Sequence, residues 1–182
     1  MVRLLDQRAL PERVRFIDCR NVDAVCDAIS TLAVRGAPAL GAAGAFGVAL
    51  AAATMTDATA VHAAAGRLAA TRPTAVNLGW GIDAAIAAYR DGGADAALAA
   101  AQSLAADDLA ANHAIGRHGL AVLPSVAGGA RVLTHCNAGH LATAGFGTAI
   151  GVIRAGAQAG AVAKVWVDET RPLLQEIGRA HV

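Results

Sequence analysis

Three stretches of the 182-residue chain bring together residue types that can hold and convert a phosphorylated substrate. In Val34-Arg35-Gly36-Ala37-Pro38 a cation and backbone N–H groups stand just ahead of a proline-started helix. That arrangement binds anions such as phosphate. Arg72-Pro73-Thr74 repeats it. Either alone fits an ordinary solvated loop arginine; together they point to a sugar phosphate. Thr134-His135-Cys136-Asn137-Ala138-Gly139-His140 follows a strand pattern and precedes a helical one, the place where open α/β sheets hold ligands. A thiol near a helix N-terminus can have a lowered pKa and exchange protons or stabilise charge. The alternative is a buried structural cysteine in a turn of small residues.

His135, Cys136 and His140 lack a fourth ligand at a usable spacing, so no metal is expected, and no cofactor motif stands elsewhere. Gly145-Phe146-Gly147-Thr148-Ala149-Ile150-Gly151 has the wrong spacing for a dinucleotide fingerprint. Its glycines are expected inside a helix, where they allow close packing. Asp168-Glu169-Thr170-Arg171-Pro172-Leu173-Leu174-Gln175 follows a second strand. It either supplies acids, a cation and an amide to the same strand-end crevice as Cys136 or forms an ordinary charged loop.

The elements that must position these groups follow from periodicity. Val2 to Gln7 and Val14 to Cys19 alternate loosely around Leu10-Pro11 and read as two short strands. From Asn21, Val22, Val25, Cys26 and Ile29 fall at the spacing of one helix face. Pro38 interrupts before starting the next helix, which is expected to run towards Ala53. Alanine-rich helices are expected over residues 57–70, 77–89 and 94–118, the last with Asp107 and Asp108 on its polar side. Leu123-Pro124-Ser125-Val126-Ala127-Gly128-Gly129 is the clearest linker. Beyond it the pattern becomes strand over residues 130–135, turn over 136–139, helix over 141–155 and strand over 164–169. This is one βαβ unit, too little for a sheet with both faces covered. The expected fold is therefore α/β. A helical N-terminal domain with a short leading β-hairpin (residues 1–127) precedes the first βαβ unit of a truncated Rossmann-like parallel-sheet domain (128–175).

Composition narrows the function classes. Hydrophobic residues make up 55% and charged residues 16%, which excludes a disordered chain. A net charge of +1 offers no electrostatic footprint for nucleic acid or an anionic membrane. Three cysteines without CxxC spacing fit a reducing cytosol, and the charged first sixteen residues hold no signal-peptide core. The uncharged run over residues 36–56 is long enough to span a bilayer but is mostly alanine and glycine, so a buried helix is expected.

Five segments carry a resemblance. Leu4-Leu5-Asp6-Gln7, Val34-Arg35-Gly36-Ala37-Pro38-Ala39, Thr71-Arg72-Pro73-Thr74-Ala75-Val76-Asn77-Leu78, Thr134-His135-Cys136-Asn137-Ala138-Gly139 and Glu169-Thr170-Arg171-Pro172-Leu173-Leu174-Gln175 resemble, in order, those of the methylthioribose-1-phosphate isomerases. The resemblance runs from Val2 to Gln175. It implies conversion of the aldose 5-methylthioribose 1-phosphate to the ketose 5-methylthioribulose 1-phosphate in methionine salvage, by a cytoplasmic homodimer without a cofactor. It further implies that Cys136 is the catalytic thiol and that Arg35, Gly36, Ala37, Arg72 and Gln175 bind substrate. The family's partner aspartate lies downstream of the glutamine motif, past the end of this sequence. Asp168 does not match it.

Two relatives of the same fold are alternatives: ribose-1,5-bisphosphate isomerase, and the non-catalytic regulatory subunits of the eukaryotic initiation-factor exchange factor. The terminal heptapeptide Glu176-Ile177-Gly178-Arg179-Ala180-His181-Val182 departs from the family, where a glycine is expected first. It resembles translated sequencing-library adapter (GAG ATC GGA AGA GCA CAC GTC) and is expected to lie outside the fold.

Overall fold

The alternation at the N-terminus becomes a hairpin. In a computed structural model, which describes residues 1–168, β1 (Val2–Leu5) pairs antiparallel with β2 (Phe16–Cys19), Val2 opposite Cys19 and Leu5 opposite Phe16. Between them Asp6 caps a single 3-10 turn, accepting the Arg8 N–H. α1 (Val22–Ser30) starts at Asn21, whose side chain accepts the Ala24 N–H at 2.9 Å. Val22, Val25 and Ile29 on its inner face are buried, and Cys26 is half-buried.

α2 (Ala37–Thr54) carries Pro38 in its first turn. It is long and apolar enough to cross a membrane, yet 61% of it is buried within the protein. A helix apolar all round belongs in a core. Its neighbours are α1 and α3 (Ala58–Ala70), the latter capped by Asp57. α4 runs from Val76 to Val122 with a break at Gly92 and Gly93, so the two expected helices are its halves. Gly93 has φ +70°, a conformation that glycine adopts without steric cost.

Small residues set how closely these helices approach. A methyl group at Gly81 on α4 would lie 2.1 Å from the Gly41 carbonyl oxygen on α2. Gly44 likewise faces Leu78 and Ile82, and Gly47 faces Leu68. Val25, Ile29, Val48, Val61, Leu68 and Leu78 fill the space between with complete burial.

These elements make one compact unit, Met1–Ala106; a second begins at Asp107. The division falls inside α4, whereas the expected domain boundary lies at Gly128-Gly129, where helix gives way to strand. The last turns of α4 are drawn into the second unit by contact, since Gly116 faces Phe146 and Gly151, and Gly119 faces Val152.

In that unit β3 (Ala130–Thr134), α5 (Ala149–Gln158) and β4 (Val162–Val167) form the βαβ, its two strands parallel with Leu133 opposite Trp166. The fold is thus mixed α/β and mostly helical, as expected, but the sheet strands differ slightly in extent. β4 starts at Val162 rather than residue 164. One sheet face is open: Leu133 is 68% exposed, and Arg131 and Lys164 each stack 4.9 Å from the Trp166 ring centre. Such stacking covers an aromatic surface with charge.

One expectation fails. The helix expected over residues 141–155 begins only at Ala149. A 3-10 turn (His140–Ala142) and a loop over residues 143–148 come first. Gly145 and Gly147, expected inside the helix, have φ +154° and +94° and form that loop; Gly151 alone is helical. The physical reason is the close approach of two loops, because a methyl group at Gly147 would lie 2.6 Å from the Gly139 Cα.

Candidate functional site

The first group of expected site residues lies in the Met1–Ala106 unit. Gly36 has φ +101°, in the left-handed region where a side chain is strained, and its carbonyl accepts the Leu40 N–H as α2 begins. The hairpin holds this segment from the other side. Gln7, buried, donates its backbone N–H to Ala33 O at 2.9 Å, and its Nε2 donates to Arg35 O at 3.3 Å. Val34 N–H donates to Ala28 O. Arg35 and Gly36 are half-buried, and Ala37 is exposed.

Arg72 is half-buried in the turn between α3 and α4, where its carbonyl accepts the Ala75 N–H. The glycine crossing relates the two arginines. Gly41 packs against Asn77 and Gly81 near the starts of α2 and α4. At about 1.5 Å rise per residue, both helix starts lie within roughly 10 Å of that contact. The starts of α2 and α4, which Arg35 and Arg72 precede by two and four residues, therefore lie on the same side of the helical unit.

The second group lies in the βαβ unit. Cys136 follows β3 with φ +70°, one of three non-glycine residues with positive φ among the described residues. Such a conformation costs on the order of 1 kcal/mol or more and persists where surrounding contacts enforce it. His135 and Asp168 extend the two parallel strands at their carboxyl ends. Asp168 N–H donates to Thr134 O at 3.0 Å, and His135 Nδ1 lies 3.6 Å from Asp168 Oδ2. The carboxyl ends of the two strands thus bring His135 and Asp168 together at an exposed edge, with Cys136 next to His135 in the chain. Gln175 lies outside the described residues.

No disulfide links the three cysteines. Burial pushes the Cys19 and Cys26 thiols up, so they stay protonated at neutral pH.

Sequence reading missed what holds the Cys136 turn. Thr148 and Ile150 N–H groups both donate to Ala138 O, two residues after the cysteine. Phe146 N–H donates to His140 Nδ1 at 3.1 Å, which gives His140 a structural duty. Asp108 and Asn112, on the last part of α4, secure the same loop, although Asp108 is expected merely on a polar helix face. The available signal was an Asp–Asn pair four residues apart in an otherwise alanine-rich helix.

Comparison with known proteins agrees with this layout. The model of the initiation factor 2 subunit family matches residues 33–181. The chain is 48% identical to the methylthioribose-1-phosphate isomerase of Syntrophotalea carbinolica, a match covering 96% of this chain and 54% of that protein. The crystal structure of 5-methylthioribose 1-phosphate isomerase from Pyrococcus horikoshii superposes with TM-score 0.86 at 35% identity, over 97% of this chain and 52% of that one. That of translation initiation factor eIF-2B, subunit delta, from A. fulgidus gives 0.83 at 46% identity, over 96% and 54%. The chain spans about half the length of these relatives. With most of its residues inside the family match and this fold beneath them, the chain belongs to the initiation factor 2 subunit family.

Proposed function

We propose that this chain supplies part of the site of an S-methyl-5-thioribose-1-phosphate isomerase, a cytoplasmic homodimeric enzyme that interconverts 5-methylthioribose 1-phosphate and 5-methylthioribulose 1-phosphate. The observation that carries this reading is the backbone of Cys136. A turn with a purely structural role is served most cheaply by glycine at φ +70°. A thiol in that conformation, at the carboxyl end of a parallel strand, supports chemistry at its Sγ. The identity to relatives named as this isomerase supports the same choice.

The reaction accounts for the remaining groups. With its anomeric oxygen phosphorylated, the sugar cannot open to a free aldehyde as ordinary aldoses do. The site must assist ring opening and then move hydrogen from C2 to C1. Whether that hydrogen moves by proton relay or by hydride shift, the step needs a group at the reacting carbons, an acid–base partner and exclusion of water. Cys136 is the group at the carbons. Arg35, the backbone of Gly36 and Ala37, and Arg72 hold the phosphate by charge-assisted hydrogen bonds, with Gln175 as a further substrate contact. The acid–base partner is a carboxylate outside this sequence.

The decisive experiment replaces Cys136→Ser in the full-length protein that carries this segment and follows the aldose phosphate by NMR. Isomerisation should fall at least about 10²-fold, the low end for a lost acid–base group, while the sugar phosphate still binds. Wild-type turnover of ribose 1,5-bisphosphate in preference to the methylthio sugar would move the assignment to that substrate. A second reading, a regulatory subunit, is favoured by the likeness to the A. fulgidus delta subunit. It would prevail if the wild-type protein turned over neither sugar.

A further inference from the structure

The strained turn at Cys136 is connected to α4 through a short chain of hydrogen bonds, all of them in the second unit. Asp108 Oδ2 accepts the Ala144 N–H at 2.7 Å and one Asn112 Nδ2 hydrogen at 3.0 Å. Asn112 Nδ2 also donates to Gly145 O at 3.2 Å, and Asn112 is 1% exposed. A buried amide committed in this way is costly to disturb, because any group left unpaired loses its solvation without compensation. Thr143 Oγ1 closes the loop on itself, accepting the Gly145 N–H at 3.1 Å and standing 3.0 Å from Gly145 O.

From there the constraint passes along the backbone. Residues 145, 146 and 147 all take positive φ, Phe146 included at +67°. That path delivers the Thr148 and Ile150 N–H groups to the Ala138 carbonyl, and it seats Gly147 against Gly139. Phe146 is held at the same time by a ring contact with His113 of α4, 4.2 Å between centres. Ala138 and Gly139 are the continuation of the turn that sets Cys136 at φ +70°. None of these interactions reaches the thiol itself.

We propose that Asp108 and Asn112 are positioning residues for Cys136, holding the 143–148 loop so that the 136–139 turn keeps the cysteine in its strained backbone conformation. As a catalytic role this rests on the isomerase reading, but the positioning itself can be read without turnover. Asp108 acts as a hydrogen-bond acceptor, so the neutral Asp108→Asn variant, which keeps an oxygen able to accept, should substitute for it. Asp108→Ala and Asn112→Leu should not.

The test uses the full-length protein with these three substitutions, each checked for folding by circular dichroism and thermal melting. The first readout is the rate of iodoacetamide alkylation at Cys136, followed by peptide mass; Cys19 is fully buried and serves as an internal control. Asp108→Ala and Asn112→Leu should change that rate by roughly threefold or more, since thiol reactivity follows its surroundings. The second readout is kinetic: kcat should fall about tenfold or more with KM within about twofold, the signature of misplaced reacting groups. Asp108→Asn should stay within about twofold of wild type in both.

A wild-type alkylation rate in folded Asp108→Ala or Asn112→Leu would overturn the proposal. An Asp108→Asn variant as impaired as Asp108→Ala would overturn it too, because the carboxylate's charge would then be the operative property. Should Asp108→Ala fail to fold, Asn112→Leu decides in its place, and should both fail, wild-type alkylation in the milder Asn112→Ser would overturn it. If the wild-type protein shows no isomerisation, the functional reading fails while the alkylation rates still judge the positioning.

Discussion

Arg72 and Asp6 each commit a charge in a way that a single substitution can read. Arg72 is half-buried in the turn just ahead of α4. In the full-length protein Arg72→Ala should weaken sugar-phosphate binding by about 1.5–3 kcal/mol, the range for hydrogen bonds to charged groups. Titration calorimetry showing unchanged affinity would remove Arg72 from the site. Asp6 is buried, and the Arg8 side chain hydrogen-bonds it at 2.8 and 2.9 Å. Those bonds hold the Asp6 carboxyl below the usual carboxylate range, against the upward push of its burial. A carboxyl depressed in the folded state contributes stability above its unfolded pKa of about 3.9, and that stability is lost as pH falls through the folded value. Urea midpoints should therefore decline below about pH 4, and Asp6→Asn should flatten this acid limb while lowering stability at neutral pH. Equal acid sensitivity in the two proteins would show that other carboxyls govern it.

Among the elements, the crossing of α2 and α4 is the least tolerant of change. Helices that touch backbone to backbone leave no room for a Cβ, and Gly81 meets the Gly41 carbonyl rather than a side chain that could move aside. Gly81→Ala should cost about 1–3 kcal/mol from overpacking, despite alanine's better helix propensity. Gly79→Ala, two residues away with open space before it, serves as the control and should be neutral or stabilising. Denaturant melts of the two variants decide the matter, and a Gly81→Ala protein as stable as wild type would deny the close approach. Helix limits were legible because their causes are local: the helical pattern begins at Asn21 and at residue 57, where the structure shows side-chain caps, and Pro38 stands in the first turn of α2. The start of α5 was not. Thr148-Ala149-Ile150 looks like a continuation of the pattern at Leu141, and only Asp108, Asn112 and His140, distant in sequence or facing across a loop, pull residues 143–148 out of the helix.

At the scale of the molecule the chain divides into a helical unit and a βαβ unit, and their surfaces differ in kind. The first buries α2 among its neighbours; the second leaves Leu133 and Trp166 on an open sheet face. Residues 124–128 are exposed, and Gly128 and Gly129 have φ +81° and +90°. Exposed loops that local motion can open are the preferred sites of proteolysis. Limited digestion should cut there first, and a first cut inside α2 would contradict the burial described for that helix. Mass spectrometry of the earliest fragments reads the outcome.

What the sequence determined by itself was everything carried by neighbours in the chain. It specified the class of fold, the hairpin, the approximate spans of the helices and the placing of Cys136 at a strand end. It also made five motifs recognisable in order, which no single spacing could. Tertiary structure alone decided how these parts are held. The meeting of Gly41 with Gly81, the Gln7 bond to the Arg35 carbonyl and the Asp108–Asn112 network join residues far apart in sequence. No periodicity records such contacts, because whether a small or polar residue faces solvent, a second backbone or a buried carbonyl is settled only when the elements pack.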